Sequence, residues 1–439
     1  MRDSTARNTA DYRNQPEKKH SNMLDLPLEA TQADREPHSY ERWLIAKLLR
    51  MAGSPPIRFE LWNGEQVELE GTQPQFTIRL NDHKALLTLV SNPNLAFGDL
   101  YSAGRLEVTG NLPDLMEALY RNIHQAKQQW PKWLEALWRN HNPRSTGLTE
   151  ARENIHHHYD LGNDFYRLWL DTAEMQYTCA YYETPELTLE QAQLAKLEHV
   201  CRKLRLKPGM IVAEAGCGWG GLGRYMAREY GVKVHAYNIS KEQLDYAREE
   251  AKRQNLDHLI DYIEDDYRNI DGQYDAFVSV GMLEHVGKDN FPAMSDLIRR
   301  VLKPDGLALL HSIGRNRPML MNAWIEKRIF PGAYPPSISE FMGICEQGDF
   351  SVLDVENLRL HYAMTLAHWM ERFQQHRQTI TDLYDENFTR AWEMYLAGSI
   401  AAFRAGSLQL FQVVFTHGSN NQLPQSRRDL YQSPAAPEA

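Results

Sequence analysis

The sequence predicts an α/β protein: a parallel, doubly wound sheet preceded by a small α+β domain. Strand-like and helix-like segments alternate from about Thr149 onward, which is the pattern of βαβ units. Between an apolar strand and a helix lies a glycine-rich run, Gly216-Cys217-Gly218-Trp219-Gly220-Gly221. Ahead of this region, short alternating strands are punctuated by Asn-Gly and Gly turns.

Taken in order, residues 1–38 are polar and charged with almost no periodic apolar positions, and are expected to form a disordered tail. Over 39–120, IRFELWNG, VELEG and FTIRLND read as strands, and KALLTLVSN and DLMEALYRN as helices. Residues 121–150 read as a helical linker with Pro and Gly punctuation. The α/β domain is expected over 151–418. It opens with the helix LEQAQLAKLEHVCRKLRL and continues through strands MIVAEAG, VKVHAYNI, IDYIEDDY, YDAFVSVG and GLALLHSIG, with helices LGRYMAREY, SKEQLDYAREEAKRQN and MSDLIRRVL between them. Residues 419–439 read as a second disordered tail.

Composition narrows the function. The chain has 439 residues, 42% hydrophobic and 24% charged, an ordinary globular balance. A formal net charge of −10 speaks against nucleic acid as a partner. The four cysteines, Cys179, Cys201, Cys217 and Cys345, are too scattered for a disulfide framework or a zinc cluster, so a reducing cytoplasm is expected. The amino end lacks the apolar core of a signal peptide, and no run of 18 apolar residues occurs. His156, His157 and His158 are consecutive and cannot all face one point, so no metal is predicted.

The glycine loop admits two ligand readings. Gly216, Gly218 and Gly221 fit the dinucleotide fingerprint, which asks for an acid roughly 20 residues later. The stretch His235-Ala236-Tyr237-Asn238-Ile239 holds none. Glu214, Gly216, Gly218 and Gly220 instead fit the E/D-x-G-x-G-x-G loop of methyltransferases that bind S-adenosylmethionine, with Asp265 or Asp266 suited to an adenine amino group. A plain tight turn would not need this density of glycine. The methyl-donor reading leads, and with it a Rossmann-like class I methyltransferase fold.

A set of motifs then runs collinearly through roughly 155–418: HHHYDLGNDFY, MQYTCAYY, AKLEHVCRKLRLKPGM, EAGCGWGG, DDYRNI, VSVGMLEHVG, LKPDGLALLHSIG, YAMTLAHWMERF and AFRAGSLQLFQVVF. In these stretches the sequence resembles the cyclopropane-fatty-acyl-phospholipid synthase family. The resemblance implies methyl transfer from S-adenosylmethionine to a cis double bond of a phospholipid acyl chain, followed by proton loss to a bound bicarbonate as the ring closes. It implies that Cys179, Glu284, His311, Ile313 (through its backbone) and Tyr362 surround the bicarbonate. It implies cofactor contacts at Tyr177, Thr178, Glu214, Gly216, Gly218, Gly220, Asn238, Ser240, Gln243, Asp266 and Tyr267. Taken singly, Cys179 is a small buried hydrophobe, His311 a core histidine, Glu284 a helix N-terminal charge and Tyr362 packing. Their joint placement in the motifs favours function. The sequence departs from the family pattern at Glu214, usually Asp, at Leu283, usually Phe, and at Ser312, usually Thr. A related enzyme making methyl- or methylene-branched chains, a small-amine methyltransferase and an inactive lipid carrier stay open as alternatives.

A phospholipid substrate implies peripheral contact with the inner face of a membrane; a homodimer stays open. Trp130, Trp133 and Trp138 among Arg121, Lys127, Lys132 and Arg139 fit an interfacial helix, or equally a helix docking the two domains. The loop 327–336, with Phe330 and Tyr334 expected to be exposed near basic residues, is a second candidate for acyl access.

Overall fold

The computed structural model describes residues 36–127 and 161–431. The tryptophan-bearing segment 130–138, the rest of the expected linker from 128 to 150 and His156–His158 lie outside these residues, as do 1–35 and 432–439 of the two expected tails.

The first domain opens with helix Ser39–Met51, which the sequence patterning did not single out. Strands β1 (Ile57–Glu60), β2 (Gln66–Val67), β3 (Phe76–Leu80) and β4 (Leu106–Thr109) form a sheet in the order β2-β1-β3-β4. β1 and β3 run parallel, while β2 and β4 pair antiparallel at the edges. Alternation in β3 buries Phe76, Ile78 and Leu80 on one face, as period-two patterning requires. Helix His83–Ser91 starts where the Asp82 carboxylate accepts the Ala85 N–H at 2.9 Å. Helices Pro93–Ser102 and Leu112–Lys127 follow, so the boundary expected near 120 falls inside a helix.

The second domain holds a seven-stranded sheet. Its strands are β5 (Ile211–Ala215), β6 (Lys233–Asn238), β7 (Ile260–Glu264), β8 (Tyr274–Val280), β9 (Leu302–Gly314), β10 (Phe350–Asn357) and β11 (Gln409–His417), in the order β10-β11-β9-β8-β5-β6-β7. The expected parallel pairing holds from β7 to β9. β11 is antiparallel to both its neighbours, so the sheet is mixed. Helices cover both faces. Leu189–Lys203, Gly221–Tyr230 and Lys241–Arg253 pack on one side, and Phe291–Val301 and Ile338–Gln347 on the other. The strand order reverses between β5 and β8, and ligand sites in such sheets form at the carboxyl ends of strands at that reversal.

A third layer, helices Arg359–Gln375 and Glu386–Arg404, lies over the site and meets the first domain. One apolar core runs from Ile45 through this layer to Leu410, joining the two domains. Ordered chain continues beyond 419 to a short helix, Arg428–Tyr431, in which Leu430 is buried. Among the described residues, no helix is long and apolar enough to cross a membrane.

Candidate active site

The glycine loop leaves β5 through backbone that only glycine adopts freely: φ is +80° at Gly216, +52° at Gly218 and +77° at Gly220. The N–H groups of Gly216 and Cys217 both bond the Tyr237 carbonyl at the end of β6, at 2.9 and 3.1 Å. A side chain added at Gly218 would meet nothing within 4 Å, so the loop is open on that side. Asn238 bridges loop and helix, its amide donating to Gly218 O at 3.3 Å and to Gln243 Oε1 at 2.9 Å. Ser240 caps the helix carrying Gln243. Asn238, Ser240 and Gln243 therefore form one rim beside the loop. Asp266 and Tyr267 stand on the next strand's end; the Asp266 carboxylate accepts three bonds from Arg268. A carboxylate accepts about four hydrogen bonds, so an adenine amino group still fits.

Glu214 stays within β5, and burial pushes its carboxyl up to about 8, against the pull of Arg224 and Lys196. Its Oε2 has no hydrogen-bond partner and lies against Gly223, where an added Cβ would come within 3.0 Å.

The segment 171–179 folds over the loop. Asp171 accepts the N–H groups of Glu174 and Gln176, and a Cβ at Gly221 would approach the Glu174 carbonyl to 2.4 Å. Beneath it, fully buried Lys196 donates to Gln176 Oε1 at 2.5 Å and Thr178 Oγ1 at 2.7 Å. Desolvation lowers its ammonium to about 8. Thr178 packs on Gly281 at the end of β8, and the Gly281 N–H bonds the His311 carbonyl at 2.8 Å. Tyr177 shares a hydroxyl contact with Tyr395 at 2.9 Å and sits among Tyr166, Trp169 and Trp369, with ring centroids 5.2–5.5 Å away.

The five residues expected around the anion fall into two groups joined by Ile313. In the first, Glu284 accepts the Ser312 hydroxyl at 2.7 Å and a bond from the Ile313 backbone. Burial raises its carboxyl to about 7, and its own backbone N–H, with these two donors, holds it back from a larger rise. In the second, Cys179 and Tyr362 belong to the shared apolar core, and the Ile313 side chain packs against that core. Cys179 Sγ faces the Leu358 carbonyl at 3.9 Å, and Tyr362 lies one turn further along the same helix, its N–H bonded to Leu358 O. Burial raises the Cys179 thiol far above its ordinary value, so it is a neutral thiol. His311 is on the same face of β9 as Ile313. Burial, with the charges of Lys196 and Lys203, holds its ring well below the usual imidazole range. Its Nε2 is buried and has no partner.

Sequence reasoning passed over several of these groups. Lys196, Lys203 and Gln412 lie inside the collinear motifs but were given no role, and Ser312 entered only as a departure. The loop 327–336 corrects an expectation: Phe330 and Tyr334 are half-buried rather than exposed. Phe330 packs on His285 and Tyr395, and the Tyr334 hydroxyl bonds Glu340 at 2.9 Å. The neighbouring Arg328 is buried against Asp99, so the loop is a packed wall.

Residues 146–413 match the family described as mycolic acid cyclopropane synthetase, and residues 44–129 match a family described only as a domain of unknown function. A probable fatty acid methyltransferase of Pseudomonas putida is 38% identical, the match covering 86% of this chain and 96% of that protein. The cyclopropane-fatty-acyl-phospholipid synthase of Escherichia coli is 36% identical over 84% of this chain and 95% of its own. Among solved structures, mycolic acid cyclopropane synthase CmaA1 complexed with SAH and CTAB is 31% identical, with a TM-score of 0.57, over 60% of this chain and 97% of that one. The chain belongs to the cyclopropane synthase family of S-adenosylmethionine-dependent methyltransferases acting on fatty-acyl and lipid chains.

Proposed function

We propose that this methyltransferase acts on the cis double bond of an unsaturated phospholipid acyl chain and closes a cyclopropane ring, with a bound bicarbonate as the base. The observation that carries the reading is the chemistry at the end of β9. A buried imidazole nitrogen without a partner stands on β9, and a buried carboxyl held by Ser312 and Ile313 of that strand stands on the short helix Leu283–Val286 that follows β8. A small anion bearing one hydroxyl suits both: the ring donates to an anionic oxygen, and the Glu284 carboxylate accepts the hydroxyl.

When bound, S-adenosylmethionine supplies an electrophilic methyl and bicarbonate a proton acceptor. The chain's own residues meet the remaining demands. An alkene is a feeble nucleophile, so the loop 216–220 and the rim at Asn238, Ser240 and Gln243 serve to hold the donor in near-attack contact. Addition leaves positive charge on an acyl carbon, which the faces of Tyr177, Trp169, Trp369 and Tyr362 stabilise while excluding water. Cys179, as a thiol, does not compete for the methyl. Glu284 orients the anion rather than taking the proton itself. The names of the two curated relatives, a fatty acid methyltransferase and a phospholipid cyclopropane synthase, support an acyl substrate. A cytoplasmic enzyme working at the inner face of the bilayer completes the reading.

The test is incubation of the full chain with liposomes of unsaturated phospholipid and labelled methyl donor, followed by NMR of the lipid. Cyclopropane proton signals are expected; a product that keeps its alkene overturns ring closure. In the same assay Glu284→Gln is expected to lose about 10²-fold or more in turnover while titrating normally with S-adenosylmethionine. Full turnover in that variant removes Glu284 from the reaction.

A further inference from the structure

The histidine of the proposed site is held by a chain of side chains that crosses the sheet. Gln412 on β11 pairs in register with His311 on β9, so both side chains leave the same face. Gln412 is pinned at both ends of its amide. Its Oε1 accepts from Lys203 Nζ at 2.8 Å, and its Nε2 lies 2.9 Å from His311 Nδ1. An ammonium only donates, so it draws the amide oxygen to itself and turns the amide nitrogen toward the ring. That nitrogen also only donates, so Nδ1 must accept and the ring proton must sit on Nε2. Lys203 has no freedom to release the amide. It is fully buried and tied to Glu356 Oε2 at 2.5 Å, with Asp354 at 3.4 Å. Glu356 is anchored in turn by His199 Nε2 at 2.7 Å. The far end of the chain is the His311 Nε2, a buried atom without a partner, on the face of β9 that meets Cys179 and Tyr362 through Ile313.

We propose that Gln412, locked by Lys203, is a positioning residue that fixes His311 as its Nε2–H tautomer and so presents a single directed donor to the anion in the site. The catalytic half of this inference rests on the reading of His311 given above; the tautomer itself rests only on the hydrogen bonds. A neutral ring with its proton on Nδ1 would aim a lone pair at the anion and repel it. Gln412 thus decides whether the site attracts or rejects its ligand without touching that ligand.

The experiment uses the full chain labelled with ¹⁵N-histidine, with the His311 signals identified by their loss in His311→Gln. In the native protein the Nδ1 shift is expected to be that of an unprotonated nitrogen and the Nε2 shift that of a protonated one. In Gln412→Glu the new carboxylate still satisfies Lys203 but accepts from the ring, so the two shifts should exchange. Turnover should then fall about 100-fold with the S-adenosylmethionine affinity unchanged. Gln412→Leu leaves the ring free to choose its tautomer and should lose less. A purely structural glutamine gives the opposite order, because Glu keeps a partner for Lys203 and Leu does not. Shifts that fail to exchange in Gln412→Glu overturn the positioning role. Shifts that exchange with turnover intact uphold the tautomer control but remove His311 from the reaction, which overturns the reading of the site instead.

Discussion

Ser312 shows how a hydroxyl helps to hold down the pKa of a buried carboxyl. Its Oγ donates to Glu284 at 2.7 Å, a bond that favours the charged form and so opposes the rise caused by burial. Removing it in Ser312→Ala raises the Glu284 pKa further above about 7. The ascending limb of the kcat–pH profile is then expected to move to higher pH, with kcat at pH 7 falling about threefold, while Ser312→Thr restores the original limb. An unmoved limb in the alanine variant would mean that another group governs it. At this scale Cys179, Glu214, Glu284 and His311 lie in runs that the resemblance singles out, and the structure buries each of them. Lys196 and Gln412 lie in such runs too, but no role could be read for them. A lysine on a helix and a glutamine in an apolar strand look solvent-facing or incidental until partners from distant segments, Gln176 and Thr178 for one and Lys203 for the other, account for their burial.

Among elements, the βα turn after β5 is tightly constrained. A Cβ at Gly220 would meet the Tyr262 hydroxyl at 2.4 Å, and its φ of +77° disfavours any side chain. Gly220→Ala is expected to cost about 2–4 kcal/mol by urea denaturation and to weaken S-adenosylmethionine binding in calorimetry. Tight binding by that variant would exclude the loop from the cofactor site. The strands from β5 to β9 were legible because buried parallel strands read as short apolar runs between helices. β11 was not, neither as a strand nor in its direction. Gln409–His417 is buried on both faces, so its composition is the same whichever way it runs. β4, four residues long, is defined by its pairing with β3 rather than by its own pattern. In the loop 327–336, an apparent exposed aromatic pair turned out to be packed because helix Glu386–Arg404 supplies Tyr395 against Phe330.

For the whole molecule, the change of texture along the sequence falls between the four-stranded and the seven-stranded sheet, but how the two pack together was not legible. Asp99 stands outside every motif read from the sequence. In the structure its carboxylate accepts from Trp324 Nε1 at 3.1 Å and from Arg328 at 2.9 and 3.0 Å, while the Trp324 ring lies against Gly98. Arg390 adds bonds to the carbonyls of Tyr101 and Leu106. Asp99→Ala strips a buried cation of its carboxylate and is expected to destabilise the protein by about 3–5 kcal/mol, read as a lowered thermal midpoint. A midpoint equal to the native one would show that the first domain is only loosely held. The place of β11 has a further consequence for how the protein comes into being. This strand is made last yet lies between β9 and β10, so a growing chain on the ribosome has an open seam in its sheet until residue 417 has emerged. Until then Lys203 has no Gln412 amide to grip, so the hydrogen-bonded chain from Glu356 to His311 closes in one late step, when that strand docks.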